Sequence, residues 1–293
     1  MKRAQLAQTM QGLLAGIEVR DDTVTGRETS IPVRWYRGEE APVASLLWVH
    51  GGAFSGGGLD QLESHAVAAA LAHHKIHVVT VDYRRVPSWS PFRDQEPAVL
   101  DGTRYPAPLN DVSDVLASVI PTAAATYIGG ASAGACLSAA TALRAITNGG
   151  RAPAGVVLAY GTFHADLPSL PESVRSRVRG RHGIVQFRSA TVRRMNYNYA
   201  GSVTAMSDPF AFPGGHDLSR FPPALVLDAD RDTLRASGEL FATELRGAGA
   251  TVSRRTITDS THGFFDRPTQ PSFAAAISEI AVWISTETAR VRS

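Results

Sequence analysis

The sequence predicts an α/β fold, with a mostly parallel central sheet flanked by helices on both faces. Three observations predict it. Short apolar, β-branched runs alternate with stretches of helical period along nearly the whole chain. Most of those runs lack the every-second-residue polarity of a half-exposed strand, as expected for strands covered on both sides. Two of them run straight into glycine-rich turns, at the strand ends where sheets of this kind place their sites.

In order along the chain, residues 3 to 17 set Leu6, Met10, Leu13, Leu14 and Ile17 at spacings of three and four, which predicts an amphipathic helix. "DTVTG" and "SIPVRWY" read as short strands, and "ASLLWVH", ending at His50, as a buried one. After "HGGAFSGGG", residues 61 to 74 read as an alanine-rich helix and "IHVVTVDY" (76–83) as the next buried strand. "NDVSDVLASVI" (110–120) is helical, with Asn110 or Asp111 as its N-cap. "TYIGG" is a strand and "AGACLSAATALRAI" the helix after it. "AGVVLAYG", "PALVLDAD" and "TVSRRTITD" complete the strands, with helices at about 233–247 and 273–289.

Two stretches depart from the alternation. Residues 87–106 carry four prolines and no clear period, and read as a long loop near the sheet's C-terminal edge. Residues 162–221 contain helical pieces, among them "ATVRRMNYNYA", and no strand, which is the form of a lid inserted over a site. Residues 1–293 are expected to form a single domain.

Composition narrows the partners. Lysine and arginine number 29 against 27 acidic residues, a net charge of +2 that gives no nucleic-acid footprint. Cys136 is the single cysteine, so the fold cannot depend on an intrachain disulfide. Gln5, Gln8, Thr9 and Gln11 interrupt the apolar run a signal peptide would need, and no window reaches membrane-spanning length, so a cytoplasmic protein with no membrane span is expected.

"GASAG" (130–134), between a strand and a helix, has the pattern of a sharp turn that holds a serine in a strained conformation with its hydroxyl exposed. Glycines at 130 and 134 leave room for the neighbouring backbone. A serine nucleophile needs a base and a group to orient that base. Of His182, His216 and His262, the last lies in the turn-rich "DSTHGFFD" between the final strand and helix, where it can reach over Ser132. For the acid, Asp232, in the loop after "LVLDAD", is favoured over Asp228 within the strand.

Donors for a developing oxyanion are expected from the backbone N–H of Ala133 and from "HGGAF", where Gly51, Gly52 and Ala53 carry little side chain. His50 is expected to brace that loop. The same glycines do not read as a phosphate cradle, since Lys2 and Lys75 are the only lysines. No cofactor is expected. No metal is expected either: "AHHKIH" (72–77) has no cysteine or acidic ligand nearby and fits a helix end entering a strand. Cys136 is expected to pack inertly behind the turn.

At these residues the chain resembles the hormone-sensitive-lipase-like carboxylesterases, bacterial members of an α/β-hydrolase fold group. The resemblance spans about residues 43–285 through "HGGAF", "VDYR", "YPAPLNDV", "GASAG", "DTLRASGELFATEL" and "HGF". It implies Ser132 as nucleophile, His262 as base and Asp232 as orienting acid. It implies Gly52, Ala53 and Ala133 as the oxyanion hole, with Gly51 shaping the loop. It further implies a cap formed by residues 1–30 and 162–221, and a homodimer paired through an edge strand.

The chain departs from the family pattern at Ala53, where the family usually has glycine; at Ala131, where it commonly has aspartate; and in extra residues at about 87–104. The expected reaction is hydrolysis of small to medium acyl esters through an acyl-enzyme. An amide, lactone or polar-metabolite ester is the alternative on the same triad, prompted by seven arginines between 175 and 194. A non-catalytic ligand receptor on this scaffold is disfavoured by the presence of His262.

Overall fold

The computed structural model of the chain describes residues 2–88, 100–119, 125–179 and 186–292. Eight strands form one sheet: β1 (Ile17–Thr25), β2 (Ser30–Gly38), β3 (Ala44–Val49), β4 (Ile76–Val81), β5 (Thr126–Ala131), β6 (Gly155–Ala159), β7 (Ala224–Arg231) and β8 (Val252–Thr261). Their spatial order is β1-β2-β4-β3-β5-β6-β7-β8. β1–β2 and β2–β4 pair antiparallel, and every pair from β4–β3 to β7–β8 is parallel, which bears out the mostly parallel sheet.

Successive residues of the central strands feed two separate apolar layers. Leu47, Val49, Ile128, Val156 and Val226 point into one, with α3 (Ala107–Val119), α4 (Ala133–Thr147) and α8 (Arg235–Gly247). Leu46, Trp48, Tyr127, Val157 and Leu225 point into the other, with α2 (Leu62–Ala72) and α9 (Pro271–Arg292). Burial on both faces is why these strands read as continuous apolar runs, and each large aliphatic removed from water contributes about 1.5–3 kcal/mol.

The departures from expectation have physical causes. α1 (Lys2–Leu14) ends before Ile17, which instead opens β1; as an exposed edge strand, β1 has no apolar face to announce its first residues. α3 starts at Ala107, so Asn110 and Asp111 lie inside the helix and are not its N-cap. Both are spent on tertiary bonds: the Arg84 Nη2 donates to Asp111 Oδ1 at 2.8 Å, and Asn110 Nδ2 to Glu28 Oε1 at 2.7 Å. "VDYR" and "YPAPLNDV" are thus two halves of one partly buried tie.

α1 packs on the layer of α2, through Met10, Leu13 and Leu14. The 162–221 segment contains α5 (Glu172–Arg177), α6 (Ser189–Ala200) and α7 (Val203–Met206), and Tyr199, Ala200 and Met206 pack on the opposite layer. α1 and the end of α6 thus lie on opposite faces of the sheet. The inserted loop expected at 87–104 falls mostly on residues 89–99, outside the described residues.

Strand order reverses beside β3: the chain leaves β3 toward β4 on one side and returns to β5 on the other. Val49 pairs with Gly130 across that boundary, so the "HGGAF" loop and the "GASAG" turn leave adjacent strands at the same height. A crevice at such a reversal is the usual ligand position in an open α/β sheet.

Candidate active site

The turn at Ser132 is held open by an absence of side chains. Ser132 has φ 53° and ψ −118°, a left-handed conformation between β5 and α4. A Cβ at Gly134 would lie 2.1 Å from the Val49 carbonyl oxygen and 2.5 Å from that of His50; at Gly130 it would lie 2.5 Å from the same Val49 oxygen. Only glycine lets α4 start this close to β3. The consequence is that the serine hydroxyl stands at the end of the sheet with α4 running away behind it.

The Ser132 hydroxyl donates to His262 Nε2 at 3.0 Å, and His262 Nδ1 donates to Asp232 Oδ2 at 2.7 Å. Three residues separated by up to 130 positions in sequence thus join in one hydrogen-bonded line. Asp232 is almost wholly buried, and its other oxygen accepts the Leu234 N–H at 3.0 Å, so the carboxylate cannot rotate away. Burial alone pushes the His262 imidazole toward its neutral form; the Asp232 carboxylate, aided by Glu63 and Asp266, more than offsets this and holds it above its ordinary 6.5.

Asp228, the weaker sequence candidate for the acid, is spent elsewhere, accepting from Arg254 Nε at 2.6 Å. His216 is not part of this line, and His182 lies outside the described residues. Cys136 is buried, with its thiol on the Ala211 carbonyl oxygen, and burial pushes its pKa far up. Among the described residues no group of three or more His, Cys, Asp or Glu side chains could hold a metal ion.

His50 Nδ1 donates to the Gly51 carbonyl oxygen at 2.7 Å, its ring stacks on Tyr83 at 4.4 Å, and Tyr83 donates its hydroxyl to the His50 carbonyl oxygen at 3.1 Å. Burial lowers its pKa to about 4, so it is a neutral brace. The loop it braces turns through φ 107° at Gly52, 54° at Ala53 and 62° at Phe54, a left-handed path outside helix and strand. Gly51 differs, because its N–H is already taken by Glu63 Oε1 at 2.6 Å.

Three features escaped the sequence reading. Glu63 carried only the signal of an acid in a helix's first turn, which ordinarily reads as a partner for the helix dipole. Tyr160, at the end of β6, packs edge-on against His262 with ring centroids 5.0 Å apart. Gln186 straps the 162–221 segment to the acid loop: its Oε1 accepts the Thr233 N–H at 2.9 Å, and Thr233 Oγ1 donates to the Phe187 carbonyl oxygen at 2.9 Å. Nothing in the spacing of these residues signals such a contact.

Phe187, so placed, meets His262 edge-on at 4.9 Å. It also joins Ala53, Leu167, Val192, Met195 and Leu234 in a small apolar cluster where the "HGGAF" loop, the Asp232 loop and α6 converge. Three of the seven arginines that suggested an anionic substrate pair with acids of the protein itself. Arg177 Nε donates to Asp230 at 2.8 Å, Arg179 to Glu172 at 2.7 Å and Arg193 to Asp166 at 2.6 Å.

A family model described as alpha/beta hydrolase fold matches residues 46–266. The chain belongs to the α/β-hydrolase fold family. Within it, carboxylesterase NlhH of Mycobacterium tuberculosis is 33% identical over 272 residues, covering 89% of this chain and 81% of that one. Carboxylic ester hydrolase LipN of the same organism is 29% identical, covering 89% and 68%. The solved esterase of Pyrobaculum calidifontis superposes with a TM-score of 0.78 at 26% identity, over 97% of this chain and 90% of that chain. These findings bear out the hormone-sensitive-lipase-like resemblance and the α/β-hydrolase fold. No helix among the described residues is long and apolar enough to cross a membrane.

Proposed function

We propose that this chain, a carboxylic ester hydrolase by its family, cleaves small to medium acyl esters through Ser132, His262 and Asp232. The observation that carries the reading is the unbroken hydrogen-bonded line from Ser132 Oγ through His262 to Asp232, at 3.0 and 2.7 Å. Ser132 attacks the ester carbonyl as His262 Nε2 takes its proton; His262 then hands that proton to the leaving alcohol. Asp232 holds the ring so that Nε2 faces the serine and stabilises the imidazolium that forms. Water repeats the sequence on the acyl-enzyme and frees the acid.

The negative charge that develops on the carbonyl oxygen is met by the backbone N–H groups of Gly52, Ala53 and Ala133, with Gly51 setting the loop's shape. Residues 1–30 and 162–221 form the cap, the second segment bringing Phe187 against His262. An uncharged acyl group is favoured over an anionic one because the cluster around Phe187 is apolar and Arg177, Arg179 and Arg193 are paired internally. Ala53 supplies the same N–H as glycine would, so its methyl leaves the chemistry intact. The protein is assigned to the cytoplasm on the same footing, and the homodimer remains part of this proposal.

The test is hydrolysis of a p-nitrophenyl ester series by the wild-type and Ser132→Ala proteins, beside a lactone and an anilide. Wild-type turnover is expected to peak among short and medium chains, and Ser132→Ala to lose roughly four to six orders of magnitude in kcat. Undiminished turnover in the variant would sink the mechanism. Preference for the lactone or anilide would move the substrate class and leave the triad standing.

A further inference from the structure

Glu63 is a buried carboxyl beside this site that the mechanism leaves without work. It opens α2, where an acid ordinarily faces water, yet it is 2% exposed. Burying a carboxyl with no cation against it is costly, and none of the described ion pairs includes Glu63. Its partners are neutral donors: Oε1 accepts the Gly51 N–H at 2.6 Å, and Oε2 accepts the Tyr160 hydroxyl at 2.7 Å.

Each partner is itself set in an unusual place. A Cβ on Gly51 would fall 2.3 Å from Glu63 Oε1 and 2.9 Å from the Ala131 carbonyl oxygen, so the carboxyl occupies the space a side chain would need. Tyr160 has φ 36°, a left-handed conformation that a bulky residue adopts only when its surroundings impose it. Two bonds impose it here: its N–H donates to the Leu227 carbonyl oxygen at 2.7 Å and its hydroxyl to Glu63. The Tyr160 ring then lies against His262, as described above. On the other side, the Glu63 N–H donates at 3.0 Å to Oδ1 of Asp266, in the 3-10 turn (Phe264–Asp266) that follows His262.

We propose that Glu63 is a positioning residue for ester hydrolysis, its two carboxyl oxygens locking the oxyanion loop at Gly51 to the wall behind His262 at Tyr160. The inference rests on the reading of Ser132 as nucleophile. Glu63 touches no reacting atom; it fixes where the Gly52 and Ala53 amides stand relative to the imidazole. The titratable groups facing it are Asp266, His262, Tyr160 and Tyr83, and burial, with the charge of Asp266, pushes it up to about 7. Its charge in turn raises His262.

The experiment compares full-length Glu63→Ala, Glu63→Gln, Tyr160→Phe and Ser132→Ala proteins with wild type on p-nitrophenyl butyrate, recording kcat, KM, pH profile and Tm. Glu63→Ala is expected to lose about 10- to 100-fold in kcat with KM within about threefold, since a misplaced oxyanion donor is felt in the transition state. Glu63→Gln keeps an acceptor for Gly51 and a contact for Tyr160, so it is expected to recover most of kcat. It also removes a negative charge near His262, so the acid limb of kcat/KM moves to lower pH. Tyr160→Phe is expected to lose severalfold in kcat.

Wild-type kcat in both Glu63→Ala and Tyr160→Phe overturns the proposal, as does a loss confined to KM. Equal losses in Glu63→Gln and Glu63→Ala overturn it too. If Glu63→Ala fails to fold, the pH limb of Glu63→Gln and the kcat of Tyr160→Phe decide. Turnover surviving in Ser132→Ala, by contrast, brings down the underlying reading whatever the Glu63 variants do.

Discussion

The turn around Ser132 and the 162–221 segment meet over one site and are held in place by different physics. Behind Ser132, α4 is buried at 12 of its 15 positions, and glycines at 130 and 134 bring it into backbone contact with β3. In the cap, α5 buries only Val174, and surface ion pairs such as Arg179–Glu172 dress its outer side. Such pairs contribute little to stability, whereas close backbone packing tolerates almost no change. Ser132 is thus fixed by the sheet, while the 162–221 segment is held over it by a few contacts on its inner side, and the proposed chemistry and the proposed specificity rest on these different supports.

The contrast is broken most severely by removing the charge that holds His262. Asp232→Asn is expected to lower kcat about 10⁴-fold, since the amide favours the wrong imidazole tautomer. Its pH profile sharpens the point. On the proposed mechanism, activity needs neutral His262, so the wild-type acid limb is expected above 6.5 and moves down without the carboxylate. The sign for stability is opposite: a raised histidine pKa contributes stability in full below the unfolded value of about 6.5 and loses it as pH rises through the folded value. Stopped-assay rates and thermal melts from pH 5 to 9 measure both.

Next in size is Gly134→Ala, which sets a methyl against the Val49 and His50 carbonyl oxygens. The backbone of α4 has to withdraw, moving Ser132 with it, and a shift of about 1 Å is expected to cost on the order of 100-fold in kcat, with a lowered Tm. An alanine tolerated at wild-type rate there would mean that the turn is looser than its contacts indicate. The smallest effect belongs to the cap. Phe187→Ala, in the apolar cluster, is expected to raise KM about three- to tenfold and to shift the preferred chain length, with kcat within a few-fold. A collapse of kcat would show that Phe187 holds His262 upright and does more than line the pocket.

How much of this was legible in the sequence follows the same divide. The buried strands, α2, α4 and α8 were readable because their apolar patterns report burial directly, and "GASAG", Asp232 and "HGF" were readable because the chemistry demands those residue types after those elements. β1 was read short because an edge strand with one exposed residue after another gives no period to see. Asn110 and Asp111 read as caps because a short polar side chain before a helix looks the same whether it bonds its own backbone or Glu28 and Arg84. Glu63 and Gln186 were invisible for a further reason: their partners are backbone amides and a tyrosine more than ten residues away, and no local pattern encodes them.

The hydrogen bond from the Thr233 N–H to Gln186 and the one from Thr233 Oγ1 to the Phe187 carbonyl oxygen join the 162–221 segment and the Asp232 loop into one piece of structure. On the proposed mechanism, change of substrate is therefore open at the inner apolar cluster and closed at the junction with the Asp232 loop, where any rearrangement tugs on the carboxylate next door. A library that spares Gln186 and Thr233 while varying Leu167, Val192 and Met195 would explore new esters without disarming the enzyme.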